Sequence, residues 1–313
     1  MTFKLFSKRF VYIVLILMTF VVGFNIYLDE FGLFGNVKGR ELRVTNHERL
    51  TKYLYSYNYI PSNFDGVLTG PSFSNIMLDT KKIDTYKVYN LSMSGTKADI
   101  LEKAVNNVIE KGSLKMLIIC IDEYIVTGSS NAEFKVLDKL YSSSLGSLFN
   151  IQYYLRKFFP SKELAGDYWG EFGFLNNEHR HQTISSTQRI DKSIKEFKGK
   201  KLKINESLFQ SLERLIKKAK DNKVKILAYY HPKPKRKFDF LNRVNYFDNY
   251  KIRMDNFLKN RVSEIIDFNT DDYLHITNDD NSFYDGAHLS KFGADKIIKA
   301  LNKSLVKLAK KDN

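Results

Sequence analysis

The sequence predicts an α/β protein: a five-stranded parallel sheet covered by helices, preceded by one membrane-spanning helix. Three observations carry that expectation. Short apolar runs of strand length recur between stretches with helical spacing, from Asp65 to Lys310. The strongest run, Lys115 to Ile121, is apolar at every position after the lysine, the pattern of a strand buried on both faces. Near its start the chain also carries 19 uncharged residues, Phe10 to Leu28, whose apolar run is interrupted only by Thr19, Gly23 and Asn25.

That opening segment comes first in the chain. A bilayer core takes about 20 residues of helix, so residues 10–28 can span it. Lys4, Lys8 and Arg9 precede the segment and Asp29 and Glu30 follow it. The positive flank places residues 1–9 in the cytoplasm and the remainder outside a bacterial-type cytoplasmic membrane, in a single pass. A cleaved signal peptide shares the basic start and the apolar run. The exit through Phe24, Asn25, Ile26 and Tyr27 has no small-x-small cleavage pattern, which favours an uncleaved anchor.

Residues 29–62 are polar and aromatic, and read as a juxtamembrane arm with one helix around His47 to Tyr57. The main domain is expected over 63–309. Its first strand is Asp65 to Gly70 and its second Tyr86 to Leu91. A helix follows over Lys97 to Lys111, where Ile100, Ala104 and Val108 recur at helical spacing. The third strand is Lys115 to Ile121. Residues 123–204 lose the rhythm and read as an insertion with some helix. The rhythm returns as helix Glu206 to Asp221, strand Lys223 to Tyr230, helix Asn245 to Asn260, strand Glu264 to Phe268 and helix Lys291 to Lys310. Strands alternating with helices imply a parallel sheet with both faces covered.

Composition narrows the function classes. Apolar residues make up 43% of the 313 and charged residues 27%, which excludes a mainly disordered chain. The single cysteine, Cys120, excludes an internal disulfide framework and a cysteine-based zinc site. Fifty Lys+Arg against 35 Asp+Glu leave a formal charge of +15. The basic stretches 198–203, 217–225, 233–237 and 299–311 are diluted and contain no helix-turn-helix or zinc finger. They read as solvated faces, not as a nucleic-acid interface, with attraction to an anionic surface or polymer left open.

In open parallel sheets, ligands bind beyond the carboxyl ends of the strands. That rule selects Gly70 to Ser74, Ser92 to Gly95, Asp122 to Tyr124, His231 and Asn269 to Asp271. Ser72 follows the first strand in Gly70-Pro-Ser72 and can project its hydroxyl into the crevice. Read alone, it also suits a helix N-cap. The stretch is not the G-x-S-x-G elbow, because Ser74 replaces the second glycine. A serine nucleophile needs a base, and the base needs a carboxylate to fix its tautomer. Asp285 and His288, three residues apart on one loop, can supply both. Against His47, His179, His181, His231 and His275, only His288 combines a nearby upstream aspartate with a position just before the last helix. The alternative for this loop is a polar cap on that helix through Ser290.

Gly70-x-Ser72 after the first strand, with Asp285-x-x-His288 before the last helix, resembles the SGNH (GDSL-like) hydrolase superfamily. It looks closest to the membrane-anchored, envelope-facing branch of polysaccharide O-acetyltransferases and acetylesterases, over roughly residues 63–309. The resemblance implies a flavodoxin-like three-layer αβα fold, with Ser72 as nucleophile, His288 as base and Asp285 as its orienting acid. It also implies an oxyanion hole from the backbone N–H groups of Ser72 and Gly95. The asparagine of the family's third block is absent: Asp122 stands there, and an anionic Asp122 facing the site would repel an oxyanion. Asn75 is a substitute donor, or a polar residue facing its own helix.

Lesser features complete the reading. His231 ends a strand near the crevice and, with Asp122, is expected to line the substrate pocket or to pack at the strand end. His179 and His181 lack a third metal ligand. Tyr168 and Trp169, near Phe172 and Phe174, could stack on sugar rings or pack the insertion. The expectation is a membrane-anchored serine esterase or O-acyltransferase acting on an extracytoplasmic cell-envelope glycan or acylated polymer, in contact with envelope-biosynthesis partners and needing no metal or organic cofactor. The alternatives are a catalytically degenerate domain of the same type that binds glycan or an assembly partner, and a basic module at the membrane surface.

Overall fold

Six consecutive apolar residues, Met116–Ile121, form the central strand of the main sheet, and every one of them is buried. A computed structural model describes residues 3–28, 43–44, 48–129, 168–169, 171–176, 184–199, 201–247 and 249–310. The chain begins with helix α1 (Phe3–Leu28), then strand β1 (Arg43–Val44), helices α2 (Glu48–Tyr55) and α3 (Tyr59–Asn63), and strand β2 (Gly66–Thr69). Helix α4 (Ser72–Asn75), strand β3 (Val88–Asn90), helix α5 (Ala98–Glu110) and strand β4 (Met116–Ile121) follow.

Strands β5 (Tyr168–Trp169) and β6 (Leu175–Asn176) and helices α6 (Ser186–Lys195) and α7 (Glu206–Asp221) come next. The chain then runs through β7 (Lys225–Tyr230), α8 (Lys235–Arg243), α9 (Tyr250–Leu258), β8 (Glu264–Asp267), α10 (Leu274–Thr277) and α11 (Lys291–Ala309).

The main sheet has the order β3-β2-β4-β7-β8 and every neighbouring pair is parallel. Numbered within the sheet, that order is 2-1-3-4-5, the flavodoxin-like doubly wound arrangement. Its switch point lies between β2 and β4, paired from Gly66↔Met116 to Thr69↔Ile119. The segments leaving those two strands carry Ser72 and Asp122.

Alternation along β4 assigns the two faces. Leu117, Ile119 and Ile121 meet Ile100, Leu101, Val105 and Val108 of α5 and the apolar stripe of α7, with α9 beside them. Met116, Ile118 and Cys120 meet Ala294, Ile297, Ile298 and Leu301 of α11. Cys120 is a buried free thiol. Helices α2 and α3 join the first face: Tyr53, Tyr55, Tyr59 and Ile60 are buried in the same cluster as Val67 and Tyr89. Aromatic rings interlock there, Tyr55 tilted on Tyr59 at 4.8 Å and Phe64 edge-on to Tyr89 at 5.1 Å.

Within α1, Phe6–Tyr27 is a stretch of 22 residues with mean hydropathy 2.3, long and apolar enough to cross a membrane. Strands β1, β5 and β6 form a small antiparallel sheet. Helix α6 starts on a capping box between Ser185 and Gln188. Residues 130–167 and 177–183 lie outside the described residues, and His179 and His181 are among them.

The helix expected over Asn245 to Asn260 differs from the sequence reading: α9 starts at Tyr250, after Asn245 adopts φ +51°. That left-handed backbone cannot continue a helix. Helix α8, before it, was not expected. It buries only Leu241, so its sequence carries little apolar periodicity. The stretch 233–237, expected as a solvated face, instead ties α8 into the domain. Arg236 bridges Asp191 at 2.5 Å and Asp280 at 2.8 Å, and the Lys233 side chain is only 13% exposed.

Candidate active site

The turn after β2 is shaped by close contact. A side chain on Gly70 would run into Ser74 Oγ and come within 2.6 Å of Cys120 Cβ. Only glycine lets the chain leave β2 over the floor of the sheet and start α4 at once. The two serines of α4 then diverge. Ser74 is fully buried, its hydroxyl 2.8 Å from Ser92 Oγ and 3.2 Å from the Pro71 carbonyl. Ser72, half-buried, faces the loop before α11.

There its Oγ lies 3.0 Å from Nε2 of His288. On the other side of the ring, Nδ1 lies 2.9 Å from Oδ2 of Asp285. Oδ1 of Asp285 accepts the backbone N–H groups of Ala287 and His288, each at 2.7 Å. The partners assign the tautomer: an ionised Asp285 requires N–H at Nδ1, leaving Nε2 to accept the Ser72 hydroxyl proton. Burial alone would raise the Asp285 carboxyl. The hydrogen bond and charge of His288, with the two backbone donors, outweigh it and bring the group down to about 2.

The loop itself is held on three sides. Tyr284 N–H donates to the His288 carbonyl at 2.8 Å, Lys237 Nζ donates to the Gly286 carbonyl at 2.8 Å, and Ser290 caps α11 through Gly293 N–H. His231, at the end of β7, adds a fourth tie: its Nε2 lies 2.9 Å from the Ala287 carbonyl. A carbonyl only accepts, so Nε2 carries the proton and Nδ1 is a bare acceptor. His231 is 2% exposed, and burial lowers it to about 4, which keeps the ring neutral. Phe73 packs against both histidines, its ring centroid 5.1 Å from each.

Asp122 leaves β4 beside this group, 3% exposed. Oδ1 accepts Tyr124 N–H at 2.9 Å, and Oδ2 receives Lys233 Nζ at 2.8 Å. Lys233 also reaches Glu123 at 3.1 Å. Burial alone would raise Asp122, but Lys233 holds it below the usual carboxylate range. The second carboxylate takes the opposite course: burial and the adjacent Asp122 push Glu123 up to about 7.

Asn75 is occupied away from the serine. Its Oδ1 accepts Lys52 Nζ at 2.6 Å, and its Nδ2 donates to Glu48 at 2.5 Å and to Ser94 Oγ at 3.1 Å. Lys52, fully buried in α2, also donates to the Ser92 carbonyl at 2.6 Å. Gly95 closes the neighbouring loop at φ +66°, with the Arg49 guanidinium where a side chain would stand. Arg49 Nε donates to the Ser94 carbonyl at 2.5 Å.

The structure therefore brings Ser72, His288 and Asp285 into one hydrogen-bonded chain. His231 and Asp122 stand beside them, each engaged within the protein. Sequence reasoning missed Lys233 and Lys52, and selected Phe73 only as part of the stretch Gly70 to Ser74. Only position, two residues beyond the strand-end His231, could have pointed to Lys233, and nothing local marks Lys52. Among the described residues, no group of three or more His, Cys, Asp or Glu is arranged to hold a metal ion.

No family model matches the chain, and no curated protein matches it. Solved structures do. One, provisionally called a platelet activating factor from Streptococcus pneumonia, is 11% identical, with a TM-score of 0.44 over 84% of this chain and 92% of that one. Another, a GDSL-like lipase from Bacteroides thetaiotaomicron, is 10% identical, with a TM-score of 0.40 over 78% of this chain and 88% of that one.

Proposed function

We propose that this protein is a serine esterase or O-acyltransferase of the SGNH type, anchored by α1 and acting on an ester of an extracytoplasmic cell-envelope glycan. The observation that carries the reading is the Ser72–His288–Asp285 chain, at 3.0 and 2.9 Å, beside the sheet's switch point. His288 Nε2 takes the proton from Ser72 as Oγ attacks the ester carbonyl. The tetrahedral intermediate collapses, the leaving alkoxide takes that proton from His288, and an acyl-serine remains. Water or a sugar hydroxyl then attacks the acyl carbon, giving up its proton to His288. The proton returns to Ser72 as the acid or the new ester departs. Asp285 stabilises the imidazolium in both halves. The oxyanion is assigned to the backbone N–H groups of Ser72 and Gly95. Asp122 does not oppose it, because Lys233 neutralises that carboxylate.

The test is hydrolysis of p-nitrophenyl acetate by the purified chain against Ser72→Ala. A fall of at least about 1,000-fold is expected. Equal rates would end the enzymatic reading and leave the glycan-binding one. The anchor has its own test. A reporter fused at the C-terminus is expected to be active outside the cytoplasm and to stay with the membrane. Recovery of a soluble form starting after Leu28 would contradict it.

A further inference from the structure

Three basic stretches of the sequence meet different fates in the fold. Stretch 217–225 is held within it: Lys217 pairs with Asp221 at 2.6 Å, Lys218 with Glu110 at 3.3 Å, and Lys220 donates to the Asn260 carbonyl at 3.2 Å. In 233–237, Lys233, Lys235 and Arg236 each meet a carboxylate within 2.8 Å. Stretch 299–311 differs. Lys299, Lys303 and Lys307 are exposed on α11, and none of the three makes a hydrogen bond or ion pair among the described residues.

Helical spacing makes these lysines a row. Steps of four residues keep them on one face, each about 6 Å beyond the last along the axis. Lys296 opens the row and is offset by Asp279 at 3.2 Å. The far face of the helix buries Ile297, Ile298, Leu301, Leu305 and Leu308, which fixes the direction in which the row looks. All four lysines line a groove of about 640 Å³, completed by Glu264 of the edge strand β8 and by Asp272 and Tyr273 beyond it. Glu264 is engaged by the Ser304 hydroxyl at 2.8 Å, and the lining ammonium groups outnumber the two lining carboxylates. The volume suits an organic chain, not a lone ion; ligand sites span about 300–1,000 Å³. An ammonium on a flexible stem attracts an anion as a point charge, without a guanidinium's fixed fork. A repeating row of such charges in a concave channel matches a linear chain with repeating anions, whereas a flat bilayer does not enter a channel. Tyr273, half-buried in the wall, adds aromatic surface between the charges.

We infer that this groove holds a strand of an acidic polysaccharide, its carboxylates lying along Lys299, Lys303 and Lys307. The strand is thereby kept on the helix that begins three residues after His288, in a site separate from the serine and independent of the esterase reading. Anisotropy of fluorescently labelled polygalacturonate with the full chain in neutral detergent tests it, with labelled dextran as the uncharged probe. Polygalacturonate is expected to bind, more weakly as salt rises, and dextran not to bind. Combining Lys299→Gln, Lys303→Gln and Lys307→Gln is expected to weaken polygalacturonate by about tenfold or more at unchanged melting temperature. Combining Lys111→Gln, Lys195→Gln and Lys259→Gln removes as much charge from exposed lysines elsewhere, and is expected to change affinity by less than about twofold. Equal losses in the two combinations would mean general attraction to a basic protein and would overturn the groove. So would unchanged affinity in the first, binding of dextran as tight as that of polygalacturonate, or binding of neither. A first combination that loses dihexanoyl phosphatidylglycerol but keeps polygalacturonate would assign the row to lipid headgroups and overturn it too. Ser72-dependent ester turnover without polymer binding removes this inference alone. Polymer binding without such turnover sustains it and removes the esterase reading.

Discussion

Lys233 Nζ lies 2.8 Å from Asp122 Oδ2, joining the ends of β7 and β4 across 111 residues of chain. The side chains are 13% and 2% exposed, so each charge depends on the other. Lys233→Met is expected to cost about 3–5 kcal/mol of unfolding free energy, because the buried Asp122 and the half-buried Glu123 lose their shared cation. Denaturant unfolding measures it, and a loss below about 1 kcal/mol would show that the pair is solvated after all.

Glu123 adds a pH dependence. Its folded value of about 7 stands above the ordinary 4.5, so the folded state binds this proton more tightly than the unfolded chain does. Its contribution to stability is complete below about 4.5 and is lost as pH rises through about 7. Asp285 works in the other direction: with its folded value near 2, its contribution is present above about 3.8 and lost as pH falls through about 2. Melting temperatures from pH 4.5 to 7 are expected to decline less in Glu123→Gln than in the wild type. Identical slopes would refute the assignment.

His231 is a positioning residue for the base. His231→Leu removes the donor to Ala287, and kcat is expected to fall by about 10- to 100-fold. His231→Gln, whose amide can reach the same carbonyl, is expected to recover much of that loss. A leucine variant with unchanged kcat, or a glutamine variant no better than leucine, would disprove the role.

The two serines of α4 separate chemistry from packing. Asp285→Asn is expected to slow turnover by about 10,000-fold with the fold retained, since the amide favours the wrong imidazole tautomer. Ser74→Ala removes a buried hydroxyl bonded at 2.8 Å and is expected to cost about 1 kcal/mol of stability with a much smaller effect on rate. Rates and melting temperatures of both variants decide it. Loss of activity in Ser74→Ala at unchanged stability, with Ser72→Ala still active, would mean that the nucleophile is misassigned.

Gly70 tests the turn. Gly70→Ala places a methyl against Ser74 Oγ and Cys120 Cβ, and is expected to cost about 1–3 kcal/mol while displacing Ser72 from His288. Wild-type stability and kcat together would show that the turn relaxes freely.

The sheet was legible because burial on both faces leaves its central strand β4 unbroken and apolar, and because α5, α7 and α11 each show one apolar stripe. Asp285 and His288 were legible for a local reason: three residues on one loop suffice to bring carboxylate and imidazole together. What surrounds them was not. Lys233 stands in a basic run and looks like any solvated lysine, and nothing within ten residues reveals a carboxylate pair 111 positions away. Asp122 read as a threat to an oxyanion because its cation could not be seen. Helix α8 escaped because ion pairs, which leave no periodic trace, fasten it.

Lys52 has a consequence for where this protein can be cut. Its ammonium, inside α2, holds Asn75 Oδ1 and the Ser92 carbonyl, one on the serine's own helix and one on the adjoining loop. Burial lowers it to about 8, so it sits there under strain of desolvation with Glu48 as its counter-charge at 3.7 Å. Severing the chain just before Gly66 would spare every strand of the main sheet and still leave Asn75 and the Ser92 carbonyl without that donor. The tract between the apolar helix and the sheet is thus more than a tether: trimmed of it, the serine turn would lose one of its own walls.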